Sequence, residues 1–101
     1  MNDKTITKEI FKSDFDEMNI NIKSPFITAL QTDDYIKVNS TNMHKAIYNL
    51  IISKRDLRLW NMGMKPTRNW KVSVVKKYFG LKGKKNVLVD QIEFLVNYFN
   101  N

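Results

Sequence analysis

Cysteine is absent from this chain of 101 residues, which removes disulfide staples, thiolate metal sites and cysteine nucleophiles from consideration. Glycine and proline are scarce, at three and two residues. Neither a glycine-rich phosphate loop nor a proline-rich linker is therefore present. Histidine occurs once, as His44, with no second imidazole and no carboxylate three or four positions away. That excludes the helical spacings used by zinc ligands and by paired acid–base groups, and predicts a capping or surface role instead. Two acidic clusters, Asp14-Asp16-Glu17 and Asp33-Asp34, read as solvated-helix and turn chemistry. No cofactor, metal site or enzymatic activity is expected. No apolar run approaches the ~18 residues of a membrane span. The opening MNDKTITKEI lacks the basic start and apolar stretch of a signal peptide. A soluble, intracellular protein without a membrane partner is the expectation.

Acids are also missing from one part of the chain. Residues 1–34 hold four lysines against seven acids, a net −3, whereas residues 35–101 hold thirteen Lys or Arg against three acids, a net +10. Between Lys54 and Lys85 there are eleven basic residues and one acid, Asp56. Such segregation concentrates positive potential on part of the fold and points to a polyanionic partner. The hydrophobic fraction of 43% is that of a chain that folds, and the length suits one domain.

The expected architecture is mainly α: a small single domain with a central amphipathic helix and a C-terminal helical hairpin. Residues 1–24 form an acidic N-terminal arm or helix and residues 25–101 a basic globular domain. Ile6, Ile10, Phe11, Phe15 and Met18 have helical spacing. Residues 19–24, NINIKS, alternate as a strand does, and Pro25 forbids helix continuation. Phe26–Leu30 and Tyr35–Val38 are apolar runs around a Gln-Thr-Asp-Asp turn, which predicts a short β-hairpin over 26–38. Ser40, Thr41 and Asn42 offer caps for the central helix, whose apolar face is Met43, Ala46, Ile47, Leu50 and Ile51 and which should end near Leu59. Lys45, Lys54, Arg55 and Arg58 lie on its polar face. The connector to the next helix is bracketed by Trp60 and Trp70. Their indoles read first as rings that pin the loop to the core, Trp60 more so, and second as a stacking platform for a base.

From Lys71 onward, Ser73 is a candidate cap for a helix over 74–79, Gly80 a left-handed terminator, Leu81 the residue that seals the turn, and Gly83 a second bend. Val87, Leu88, Ile92, Leu95, Val96 and Phe99 mark the apolar face of a last helix. Val72, Val75, Gly80-Leu81 and the stretch Gly83-Lys84-Lys85-Asn86-Val87-Leu88-Val89-Asp90-Gln91-Ile92 give residues 71–99 a resemblance to the SAP module. That is a helix, extended loop, helix unit of DNA- and sometimes RNA-binding proteins, similar in shape to the LEM and Rho N-terminal families. The chain departs from the family pattern in a shorter loop between Gly80 and Gly83, and in Gln91 where arginine is common. The resemblance implies nucleic-acid contact through that loop.

Physical chemistry points the same way. Lys82, Gly83, Lys84 and Lys85 precede a helix, so ammonium groups, loop amides and the positive end of the helix dipole can meet a phosphate. Lysine suits phosphate positioning better than base reading. Arg58, Arg68, Lys71, Lys76 and Lys77 are secondary candidates. The expectation is a nucleic-acid-binding protein, DNA rather than RNA, with little sequence specificity and a log–log salt slope of roughly −4 to −5 if about five phosphates are neutralised. The alternative is a small adaptor or inhibitor that binds an acidic protein, with the N-terminal arm as a further site for a protein partner. Oligomeric state is left open.

Overall fold

Five helices and one two-stranded hairpin follow one another among residues 10–99, the part of the chain that the computed structural model describes. They are α1 (Lys12–Glu17), α2 (Pro25–Leu30), β1 (Tyr35–Val38), β2 (Thr41–His44), α3 (Lys45–Asn61), α4 (Val72–Phe79) and α5 (Lys85–Phe99). The protein is mainly helical and forms a single domain. The principal packing is α3 against α5, with α2 bridging α3 and α4. No helix among the described residues is long and apolar enough to cross a membrane.

The last helix supplies the middle of the core. Leu88, Ile92 and Leu95 are almost fully buried and meet Leu50 and Leu57 of α3, Val75 and Phe79 of α4, and Phe26 and Leu30 of α2 in one apolar cluster. Each such side chain contributes about 1.5–3 kcal/mol by leaving water. Phe15 of α1 belongs to the same cluster at 0% exposure, with edge-on rings of Phe94 at 5.9 Å and Tyr98 at 5.4 Å. Ile20 is 3% exposed there as well. Phe15 and Ile20, from the segment expected as an N-terminal arm or helix, therefore pack into the same core as the helices that follow. The expected helix over 3–18 is helical only at Lys12–Glu17 among them, and positions 3–9 of that expectation lie outside the described residues.

Two helix ends dock against each other by one motif used twice. Asn19, at φ 59°, ends α1, and the Ile20 amide donates to the Phe15 carbonyl at 2.9 Å. Gly80, at φ 70°, ends α4, and the Leu81 amide donates to the Lys76 carbonyl at 2.8 Å. Both are left-handed terminations sealed by a buried apolar residue, the second as the sequence predicts. The Asn21 amide donates to the Gly80 carbonyl at 2.8 Å and joins the two ends. The alternating residues 19–24 thus form a turn rather than a strand.

The β-hairpin lies at 35–44 and not at 26–38. Ser24 caps α2, accepting from the Ile27 amide, and Pro25 opens the helix where a missing N–H costs nothing. Phe26–Leu30 is consequently helical. Tyr35 pairs with His44 and Val38 with Thr41, across a two-residue turn whose Asn39 and Ser40 both have positive φ, 50° and 67°. This conformation matches the twist of the flanking strands. Thr41 and Asn42 are spent in β2, so the cap of α3 is His44. Its Nδ1 accepts from the Ala46 amide at 3.1 Å, and its Nε2 donates to the Thr32 carbonyl at 2.8 Å, which fixes the neutral tautomer. The capping role expected of His44 is met by a buried ring, not a surface one. In the same way α4 begins at Val72, with Lys71 in the cap position and no side-chain cap, so Ser73 lies inside the helix. Val87 faces outward at 37% exposure, and the buried position on that face of α5 is held by Gln91.

Candidate functional site

The end of α3 and the start of α4 enclose a groove with a volume of about 510 Å³. Gly63, at φ 88°, turns the chain out of α3, and the Met64 amide closes back on the Leu59 carbonyl at 2.9 Å. This return brings Trp60 and Trp70 together, with ring centroids 5.9 Å apart and planes tilted by 49°. Both indoles are partly buried and packed against the core while also lining the groove. The packing of the connector onto the core expected of the two indoles is met, and part of each ring also faces the groove.

Lys65, Lys71 and Lys85 line the same groove, together with Met64, Val72 and Ser73. None of its lining residues carries a carboxylate. The Lys85 ammonium sits 4.7 Å from the centroid of the Trp60 ring, a cation–π contact. Lys85 comes from the first position of α5 and Lys71 from the position that precedes α4. Residues 14 or more apart in sequence are in this way gathered at one place by the packing of α5 on α3.

The sequence-predicted site residues divide between several places. Lys85 and Lys71 belong to the groove. Lys82 lines a separate cleft with Asp16, Asn19, Ile20 and Asn21. Its amide donates to the Gln91 side-chain oxygen at 3.1 Å. Gly83 makes the second bend of the loop at φ 128°. Lys84 is exposed, and its carbonyl accepts from the Leu88 amide at 2.9 Å. Lys76 and Lys77 are in the last turn of α4, the first half-buried and the second exposed, and Arg68 is exposed in the connector. Arg58 is engaged: its Nε donates to Glu93 at 3.0 Å, tying α3 to α5. Lys65 is the residue that sequence reasoning missed. Its signal was present, since it lies within the basic connector that the two tryptophans bracket.

The arrangement offers two aromatic surfaces and three cations in one concavity. It suits a ligand that combines a flat ring with negative charge. The chain matches no family model, and no curated protein or solved structure matches it.

Proposed function

We propose that this protein binds nucleic acid through the face that carries the groove, contacting the phosphate backbone with little sequence preference. The observation that carries this reading is the convergence of Lys65, Lys71 and Lys85 on the two indoles, with no carboxylate among the lining residues. Lysines place point charges against phosphates, and indoles accept the face of any base, so the site attracts a polynucleotide without reading its sequence. The net +10 of residues 35–101 adds long-range attraction. The helix, loop, helix order of residues 71–99 is compatible with the SAP resemblance. Here, however, only Lys85 of Lys82, Lys84 and Lys85 lines the groove, and Lys82 lines a different cleft.

Fluorescence anisotropy with labelled single-stranded DNA, duplex DNA and RNA across a salt series tests the reading. If the three groove lysines each neutralise one phosphate, log affinity falls against log salt with a slope of roughly −2 to −3. A Lys65→Gln, Lys71→Gln, Lys85→Gln triple variant flattens that slope, while Lys82→Gln changes it little. Absence of binding at low salt by a folded protein overturns the proposal.

A second reading, an adaptor for an acidic protein, has one observation in its favour. Met62 and Met64 are 66% and 50% exposed at the groove's end of α3, and methionine adapts to varied apolar partners. Stoichiometric recovery of one protein after nuclease treatment, together with failure to bind any polynucleotide, would favour it.

A further inference from the structure

Of the groove's two aromatic rings, one already holds a charged occupant. The Lys85 ammonium lies 4.7 Å from the Trp60 centroid, and Lys85 is an exposed, flexible side chain that can leave. We propose, on the basis of the nucleic-acid reading above, that the groove is a stacking site for a single unpaired base. The base takes the Trp60 face that Lys85 holds in the free protein, and the released ammonium joins Lys65 and Lys71 on the flanking phosphates.

Geometry sets the number of bases. A base sandwiched between two rings needs planes about 6.8 Å apart and parallel, twice the stacking rise of a polynucleotide. The two indoles are 5.9 Å apart and tilted by 49°, so no base fits between them. One ring serves as the platform and the other as a side wall. The volume of about 510 Å³ lies within the ~300–1,000 Å³ typical of sites for small ring compounds. Strandedness follows from the same geometry. In a duplex both faces of an interior base are covered by its neighbours, whereas in a single strand a base can splay out onto a protein ring.

The exchange of occupants runs in the stated direction because the two contacts differ in strength. An exposed ammonium over an indole contributes about 2- to 5-fold in a binding constant. A stacked base contributes about 5- to 150-fold. The base therefore displaces the ammonium, and the ammonium gains a phosphate when it moves. Lys85 keeps the ring covered in the free protein and becomes a phosphate ligand in the complex.

Trp60 and Trp70 are the only tryptophans of the chain, so tryptophan emission, excited at wavelengths that tyrosine does not absorb, reports on this groove alone. The test compares a single-stranded thymidine oligonucleotide with an abasic strand of equal length and charge, and with a duplex, reading both affinity and tryptophan emission. The expected result is that the thymidine strand binds at least about 5-fold more tightly than the abasic strand and quenches the emission, while the abasic strand and the duplex leave it nearly unchanged. In Trp70→Phe, where only Trp60 emits, quenching persists; in Trp60→Phe it falls. Circular dichroism establishes that each variant is folded, and the comparison of strands on the unaltered chain needs no variant. Equal affinity for the two strands without quenching overturns the stacking site and leaves the phosphate contacts standing. Failure of both strands and of the duplex to bind overturns both readings, and quenching confined to Trp70 overturns the assignment of the platform to Trp60.

Discussion

Gln91 is a polar side chain at 0% exposure in the middle of an apolar helix face, and every polar atom on it is used. Its Nε2 donates to the Met18 carbonyl at 2.8 Å and the Asn19 carbonyl at 3.3 Å, and its Oε1 accepts from the Lys82 amide at 3.1 Å. One amide thus clamps the end of α1 to the loop before α5. Gln91→Leu leaves those backbone groups without partners and is expected to cost about 2–4 kcal/mol, read as a lowered denaturant midpoint. Gln91→Glu also destabilises, because a carboxylate cannot donate to the Met18 carbonyl. The sequence carried a trace of this clamp: positions 88, 91, 92, 95 and 96 share one helical face, and a lone amide among leucine, isoleucine and valine has to find partners. Which groups it would find was not legible, since Met18 lies 73 residues away. Gly80 is fixed by the same neighbourhood, because a Cβ there would stand 2.6 Å from the Asn21 carbonyl oxygen.

At the level of elements, the hairpin and the helix before it are where local rules competed. Ser24-Pro25 is a helix-start signal as good as any in the chain, yet the apolar run that follows also satisfies a short strand. A run of five residues has too little periodicity to decide, and packing of Phe26 against Phe79 and Phe99 decides it in favour of helix. The turn was obscured because Asn39-Ser40 lacks glycine. Both residues nonetheless adopt positive φ, which costs a non-glycine residue about 1–2 kcal/mol. Ser40→Gly removes that strain and is expected to raise stability by up to about 1 kcal/mol, after the entropy of the freer unfolded chain is subtracted. Thermal melting should show an increase of a few degrees, and a lowered melting temperature would mean that the Ser40 hydroxyl has a role of its own. The helices α3 and α5 were plain in the sequence to within a few residues, because each spans several turns of consistent apolar spacing.

Over the whole molecule, the acidic and the basic parts of the chain share one core. Phe15 and Ile20 share a core with Leu88, Ile92 and Leu95, so the acidic segment is structural as well as charged. Removal of residues 1–24 is expected to abolish cooperative unfolding rather than to uncover a basic surface, and Phe15→Ala alone should cost about 3–5 kcal/mol. Coincident loss of the far-ultraviolet signal and of tryptophan emission on heating checks that the domain melts as one unit. A truncated chain that still melted sharply would show that the first two dozen residues are dispensable. The basic character of the groove was legible from composition, whereas its location was not: it depends on α5 carrying Lys85 to the end of α3, a long-range contact that no local pattern announces.

The ring of Tyr98 joins the two extremes of the described chain, since its hydroxyl donates to Asp14 at 3.0 Å and accepts from the Phe11 amide at 3.2 Å. A contact spanning 84 residues has a temporal meaning during synthesis. At about 5–20 residues per second, α1 leaves the ribosome several seconds before α5 exists to receive it. In that interval Phe15 has no native partner, and the nascent chain waits, incompletely folded, for its last helix to emerge.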